Sequence, residues 1–354
     1  MTPAEVLELV RAGGLLPVEP DRRPILAMLS GGRDSVCLLD LAVRICGAEN
    51  VHALHVNYGL RPEADEEERH CRSLCEGLGV ALEVVRAERP AGAGNLQAWA
   101  RELRYGAADE RARALDAVIA TGHTATDQVE TILYRLAASP GRRALLGMSP
   151  REIRLVRPLL GLTREQTAAY CRARGLSWRE DASNDDERYA RARVRNGLLP
   201  ALDAVHPAAR ENVLRTARLL REEAVVLDAL VDAELERDSD ARVGGQREGG
   251  GERSIEPPEA VGGSPGTEWS EAALGVPSVA IERLRDLPPV LARLIVVRLA
   301  EEAAGTYVPQ AGARLGEILA LAERGGRAEL HVGGLVGAVI EDGRLRMVRL
   351  PPRR

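Results

Sequence analysis

"ILAMLSGGRDSVCLLDLA" occupies residues 25–42 and sets a sharp, glycine-containing turn between two apolar runs. The first run is short enough for a strand, the turn is Ser30-Gly31-Gly32-Arg33-Asp34-Ser35, and a helix is predicted from about Val36. At the carboxyl end of such a strand, a helix N-terminus offers unpaired amides and a positive dipole end to an anion. Gly31 and Gly32 let backbone approach a phosphate closely, and Ser30 and Ser35 add hydroxyls. Asp34 would repel bare phosphate, so its presence implies a metal ion, Mg2+, between the carboxylate and a polyphosphate. The bland alternative is a turn in which Asp34 or Ser35 merely caps the helix. The full six-residue pattern after a strand favours phosphate.

Working outward, apolar and β-branched runs recur at 24–29, 51–57, 81–87, 116–122 and 153–159, with helical patterns between them. That alternation predicts an α/β fold, a doubly wound parallel sheet of Rossmann-like type over residues 1–202. A long amphipathic helix is expected from His206 to about Arg237, opening a smaller, mostly helical domain over 203–354. Residues 238–270 are rich in Gly, Pro, Ser and Glu and predict a flexible insertion. Near the end, Asp342-Gly343 lies between alternating segments as a hairpin turn would.

The 354 residues contain no lysine, so all 48 basic residues are arginine. This excludes a Walker-A loop, a Schiff-base enzyme and a ligase that carries its adenylate on lysine. The five cysteines form an odd set without CxxC spacing, which predicts buried, reduced thiols rather than disulfides or a zinc ribbon. No window has the ~18 consecutive apolar residues of a membrane span, and the first residues lack a basic flank before an apolar core. A cytoplasmic protein is expected.

The stretch SGGRDS resembles the PP-loop of the N-type ATP pyrophosphatases, which cleave ATP between its α and β phosphates to adenylate a substrate. Three further stretches narrow the resemblance: "HVNYGLRPEADEEE" (55–68), "NLQAWARELRY" (95–105) and "ATGHTATDQVETILYRLAASPG" (120–141). Together they are similar to the tRNA(Ile)-lysidine synthetases. The resemblance implies an ATP-dependent carbon-nitrogen ligase that adenylates C2 of the wobble cytidine in a CAU-anticodon isoleucine tRNA. Free lysine would then attack with its ε-amine, forming lysidine and releasing AMP, pyrophosphate having left in the first step. The implied small molecules are ATP with Mg2+ and L-lysine, and the implied assembly is a homodimer. With little chain after residue 350, the shorter architecture of that family is expected.

Asp127 and Glu130 are spaced i, i+3 and share a helix face. Such a pair could bind magnesium, act as a base or grip a cation, although acids at a helix start also simply complement its dipole. The resemblance assigns the pair to the substrate lysine; His123, at the carboxyl end of a predicted strand beside the loop, is either a contact to phosphate or the activated base or a structural histidine. His55 and Asn57 end the second strand, where the family lines its nucleotide pocket, and Arg61 follows; Tyr58 stands where histidine is usual. Arg101 and Arg104 are expected to neutralise phosphate, since arginine's fork suits it. The acids from Glu63 to Glu68 are expected only to cap and solvate a helix start.

Between Gly141 and Pro200 there are 13 arginines and 7 acids, against a net charge of −5 for the whole chain. A local basic surplus suits a nucleic-acid backbone, with Arg188, Arg191, Arg193 and Arg195 as contacts, though a salt-bridged surface helix has the same composition. Two rivals stay open: a PP-loop tRNA thiolase, which would need reactive cysteines, and a catalytically silent tRNA-binding relative.

Overall fold

The computed structural model describes residues 1–17, 23–60, 63–87, 96–138, 141–179, 190–247 and 276–351. It divides into two compact units, one of Met1–Ala138 with Arg142–Arg218, the other of Ser139–Gly141 with Leu219–Arg354. The first unit therefore runs further than the boundary at residue 202 read from sequence.

The first unit begins with α1 (Pro3–Ala12), started by Thr2 in a reciprocal cap with Glu5. It continues through β1 (Ile25–Met28), α2 (Arg33–Cys46), β2 (Val51–Asn57), α3 (Ala64–Leu78), β3 (Ala81–Arg86), α4 (Leu96–Leu115), β4 (Val118–Ala120) and α5 (Ala125–Ala138). After these come α6 (Arg142–Leu145), β5 (Leu155–Val156), α7 (Arg164–Ala173), α8 (Ala190–Arg193), a π-helical turn at Val194–Leu198, α9 (Leu199–Val205) and the start of α10 (Ala209–Arg247).

The strands make one parallel sheet in the order β3-β2-β1-β4-β5. Its centre is apolar on both faces because alternate residues feed different cores. Ile25 and Ala27 pack with α2 residues such as Val36 and Leu39, while Leu26 and Met28 pack with Ala108 and Ala112 of α4. The doubly wound α/β sheet expected from the sequence is thus present. Its order reverses at β1, whose neighbours are β2 and β4, so the Ser30–Ser35 loop lies at the switch point where ligands enter such sheets.

The second unit contains an antiparallel sheet, β6 (Ser278–Ala280), β7 (Ala328–Gly333), β8 (Val336–Glu341) and β9 (Arg344–Arg349), in the order β6-β9-β8-β7. Helices at Ile281–Asp286, Pro289–Ala304 and Leu315–Ala322 close its core around Ile295, Val296, Ile318 and Val336. Asp342 and Gly343 turn β8 into β9 with φ of 51° and 69°, the left-handed pair that a two-residue hairpin demands.

Helix α10 extends to Arg247, so the insertion expected at 238–270 starts as helix; its remainder from 248 lies outside the described residues. Asp238 is buried at 9% exposure, accepts from the Ala280 amide and pairs with Arg344. One helical turn earlier, Glu234 takes a two-nitrogen contact from Arg283. These two acids tie the long helix to its own sheet.

Candidate active site at the first strand-helix turn

The loop after β1 is built by its own serines. Ser35 Oγ donates to Gly32 O at 2.7 Å and accepts from the Ser30 amide at 3.2 Å, closing the turn from inside. Gly31 has φ +81°, and a Cβ there would meet Cys71 Sγ at 3.2 Å, so only glycine suits both the dihedral and the space. Gly32 is the N-cap of α2 and makes no side-chain cap. The reading of Asp34 or Ser35 as an ordinary cap is therefore overturned: both lie within the helix, whose start is formed by a bare glycine. A helix begun this way keeps amides and dipole available to an anion.

Helix α7 roofs this turn. Thr163 and Gln166 cap it reciprocally, which aims its first residues at the loop. Thr167 Oγ1 donates to Asp34 Oδ1 at 2.5 Å, and Arg33 Nε lies 3.3 Å from the same oxygen. Burial pushes the Asp34 carboxyl above its ordinary range; the Thr167 and Arg33 contacts oppose this and the Asp127 charge reinforces it.

Asp127 and Glu130 stand on the first turns of α5, beside Asp34. Thr124 donates both its amide and its hydroxyl to Asp127 Oδ2, each at 2.8 Å, so Asp127 closes the helix start. Its other oxygen receives Arg164 Nη2 at 2.7 Å. Burial would raise this carboxyl, but Arg164 and the Thr124 donors outweigh it and hold Asp127 below the usual carboxylate range. Glu130 is 2% exposed and receives a fork from Arg195, Nε at 2.7 Å and Nη2 at 3.0 Å. Arg164 Nη1 reaches Glu130 Oε1 at 3.5 Å, and its Nε lies 3.8 Å from Asp34 Oδ2. Three carboxylates and three guanidiniums, those of Arg33, Arg164 and Arg195, thus form one cluster.

His123, at the end of β4, pairs with Thr121 Oγ1 at 2.9 Å. Burial, with Arg157, Arg191 and Arg104 adding to it, pushes its imidazole down to about 4, against the pull of Asp127. It is a neutral ring in a basic corner. Arg104 is half-buried and its Nε has no hydrogen-bond partner among the described residues; Arg101 is exposed, its guanidinium 4.6 Å from the centre of the Tyr105 ring. Arg191 and Arg193 are exposed on α8.

The expected residues separate into two groups. Ser30, Gly31, Gly32, Arg33, Asp34, Ser35, Asp127 and Glu130 come together with Arg195, while His123, Arg104 and Arg191 form the basic corner. Arg195 differs from expectation, because its fork grips Glu130 instead of standing out as a backbone contact. Asn57 is turned away into structure: its Nδ2 donates to Asp65 at 3.1 Å and Glu68 at 3.0 Å, and its Oδ1 takes the Gly59 amide at 2.9 Å. His55 is buried behind the loop with Nδ1 2.9 Å from Leu29 O. Glu68, expected to be solvated, is 4% exposed and bound by Asn57, Arg72 and Arg86, which hold its carboxyl down to about 2. Tyr58 donates to Ala100 O at 3.1 Å and packs edge-on to Trp99. Arg61 and Arg188 lie outside the described residues.

Arg164, Thr167 and Arg157 were not singled out by sequence. The Thr163/Gln166 cap could have marked the start of α7, but which loop that helix faces is a tertiary fact. Cys37, Cys71, Cys75 and Cys171 are at most 1% exposed, and burial pushes Cys71 and Cys75 up to about 12. Among the described residues no three His, Cys, Asp or Glu side chains are grouped to hold a metal by themselves. No helix of the described residues is long and apolar enough to cross a membrane.

The sequence profile of the PP-loop domain matches residues 6–202, more than half of the chain and all of the sheet and acid cluster just described. The chain belongs to the PP-loop family. Among solved structures, this PP-loop chain is similar in fold to the U34-tRNA thiolase NcsA of Methanococcus maripaludis, with TM-score 0.50, 18% identity, and 62% of this chain and 78% of that chain covered. Among curated proteins, it is 43% identical over 209 residues to the tRNA(Ile)-lysidine synthase of Pseudomonas syringae pv. tomato, covering 57% of this chain and 46% of that protein. The tRNA(Ile)-lysidine synthase of Thermus thermophilus is 40% identical over 227 residues, with 62% and 44% covered. The chain spans about half the length of these curated relatives.

Proposed function

We propose that this PP-loop protein is a tRNA(Ile)-lysidine synthetase. The observation that carries the reading is the position of Asp127 and Glu130, which share one charge cluster with Asp34 of the phosphate loop. A cation held by α5 would therefore lie beside a nucleotide held by α2, as joining an amine to an adenylated base requires. The similarity to proteins of that name supports it.

In the first step, O2 of the wobble cytidine attacks the α phosphate of ATP and pyrophosphate leaves. In the second, the ε-amine of lysine attacks C2 and AMP departs with the oxygen. The loop amides and Arg33 would hold the phosphates. Magnesium fits here as an ion held mainly by phosphates and one carboxylate: Asp34 Oδ1 is taken by Thr167 and Arg33, whereas Oδ2 has only the distant Arg164 Nε. Its chemistry would be neutralising the polyphosphate. Arg104 and Arg191, around neutral His123, would stabilise negative charge on phosphate or base. Positioning and charge neutralisation account for most of such catalysis.

The CAU-anticodon isoleucine tRNA would meet the arginine-rich stretch between 141 and 200, with exposed Arg191 and Arg193 on its backbone. A homodimer in the cytoplasm belongs to the same reading. The experiment combines ATP, radiolabelled lysine and that tRNA with the purified chain. Label in the tRNA with one AMP formed per lysine is the expected result, and no label beside an active control enzyme rejects the reading.

A further inference from the structure

The oxygens facing the proposed amine site are already taken. Asp127 Oδ2 has both Thr124 donors and Oδ1 has Arg164 Nη2 at 2.7 Å; Glu130 has the Arg195 fork on both oxygens. A substrate ammonium would have to share Asp127 Oδ1 with Arg164, and two cations on one carboxylate oxygen repel each other. The Thr124 contacts close the helix start and the Arg195 fork is bidentate, so the single Arg164 contact is the one most readily given up.

Arg164 has somewhere to go. Its buried Nε has no hydrogen-bond partner among the described residues, and Asp34 Oδ2, which keeps a second lone pair beside any magnesium it holds, lies 3.8 Å away, beyond hydrogen-bonding distance but needing only a short shift of the guanidinium. An unmade bond at a buried donor is a standing cost that such a shift would relieve. Charge agrees: Asp34, Asp127 and Glu130 are already balanced by Arg33, Arg164 and Arg195, so an incoming cation gains a seat only where a guanidinium moves.

Resting on the reading of lysine as substrate, we propose that Arg164 is a placeholder cation, which neutralises Asp127 until the substrate ammonium arrives and then transfers to Asp34. It is a positioning residue, acting through two carboxylates. Lysine affinity is then set by an exchange of cations on Asp127, and the transfer brings a guanidinium against the nucleotide loop only when the amine is bound.

The test is the dissociation constant of radiolabelled L-lysine, measured by equilibrium dialysis with ATP present, and the KM for lysine in tRNA labelling. Arg164→Gln removes the competitor, so lysine should bind roughly 3- to 10-fold more tightly while kcat falls, and Arg164→Lys should return both towards the parent. Asp34→Asn removes the second seat, so Arg164 should stay on Asp127 and lysine should bind several-fold more weakly. Unchanged or weaker lysine binding in a folded Arg164→Gln protein overturns the inference while leaving the enzyme assignment intact. If Arg164→Gln does not fold, Asp34→Asn decides: unchanged lysine binding there overturns it too. Failure of the parent chain to attach lysine to tRNA at all rejects the assignment and this inference with it.

Discussion

Gly122 touches the backbone of Asp34: a Cβ at Gly122 would lie 2.9 Å from the Asp34 carbonyl carbon and oxygen and 3.0 Å from the Ser35 amide. The end of β4 and the first turn of α2 are in backbone contact, so the acid-bearing helix and the phosphate loop share one rigid corner. Gly122→Ala should cost about 1–3 kcal/mol in thermal unfolding, as overpacking does, and should raise the KM for ATP. A variant with parental melting temperature and ATP kinetics would show that the corner yields.

Thr167 holds Asp34 from the roof of the site at 2.5 Å. Thr167→Val keeps the shape and removes the donor, which should cost about 1–2 kcal/mol and push the already raised Asp34 carboxyl further up. ATP-dependent activity should therefore lose more on the acid side of the pH profile than at pH 8, where the carboxylate is ionised. Equal losses across the profile would refute the coupling.

His123 titrates near 4 in the folded chain against about 6.5 unfolded, because burial and three arginines disfavour the imidazolium. Between these values the unfolded chain binds the extra proton, so stability falls as pH drops from about 6.5 towards 4, by on the order of 2–3 kcal/mol. His123→Gln should flatten that part of the curve in urea titrations. NMR of the imidazole should show no inflection near pH 6.5.

Glu68 behaves as a depressed carboxylate, about 2 folded against 4.5 in its ordinary state. Its contribution is complete above pH 4.5 and is lost as pH falls towards 2. Glu68→Gln should destabilise the chain at neutral pH by about 1–3 kcal/mol and erase most of that difference near pH 2. A constant deficit across the range would mean that only packing was lost.

The buried thiols are expected to be dispensable. Replacing all five cysteines with alanine should preserve tRNA labelling with lysine in whatever fraction folds, since four of them are at most 1% exposed packing groups. Loss of activity in a folded, cysteine-free chain would favour sulfur chemistry.

Much of the first unit was legible because its signals are local. A strand, two glycines and a helix start fall within Ile25–Cys46, and the shared face of Asp127 and Glu130 follows from helical spacing alone. Asp342-Gly343 was equally local. What stayed hidden depends on chain segments far apart. Arg164 reaches Asp127 across 37 positions, Thr167 reaches Asp34 across 133, and no periodicity encodes those meetings. Asn57 and Glu68 misled for the same reason: each has the chemistry of a surface or pocket residue and spends it on the other. Arg195 sat in a stretch whose composition spoke for nucleic acid, while its own partner was an acid 65 positions earlier. Asp238 lies in sequence that looks like linker, yet it closes the end of a sheet.

The basic corner around His123 has a property that its distances alone do not express. Arginine stays protonated under any condition a cell meets, and His123 stays neutral down to about pH 4, so the charge of that corner is constant across the whole working range. In a chain without a single lysine, the protein has no lysine side-chain amine to place there. Under the proposed reaction, the corner would meet an adenylate with no lysine amine of the protein's own to compete with the one the acid cluster admits.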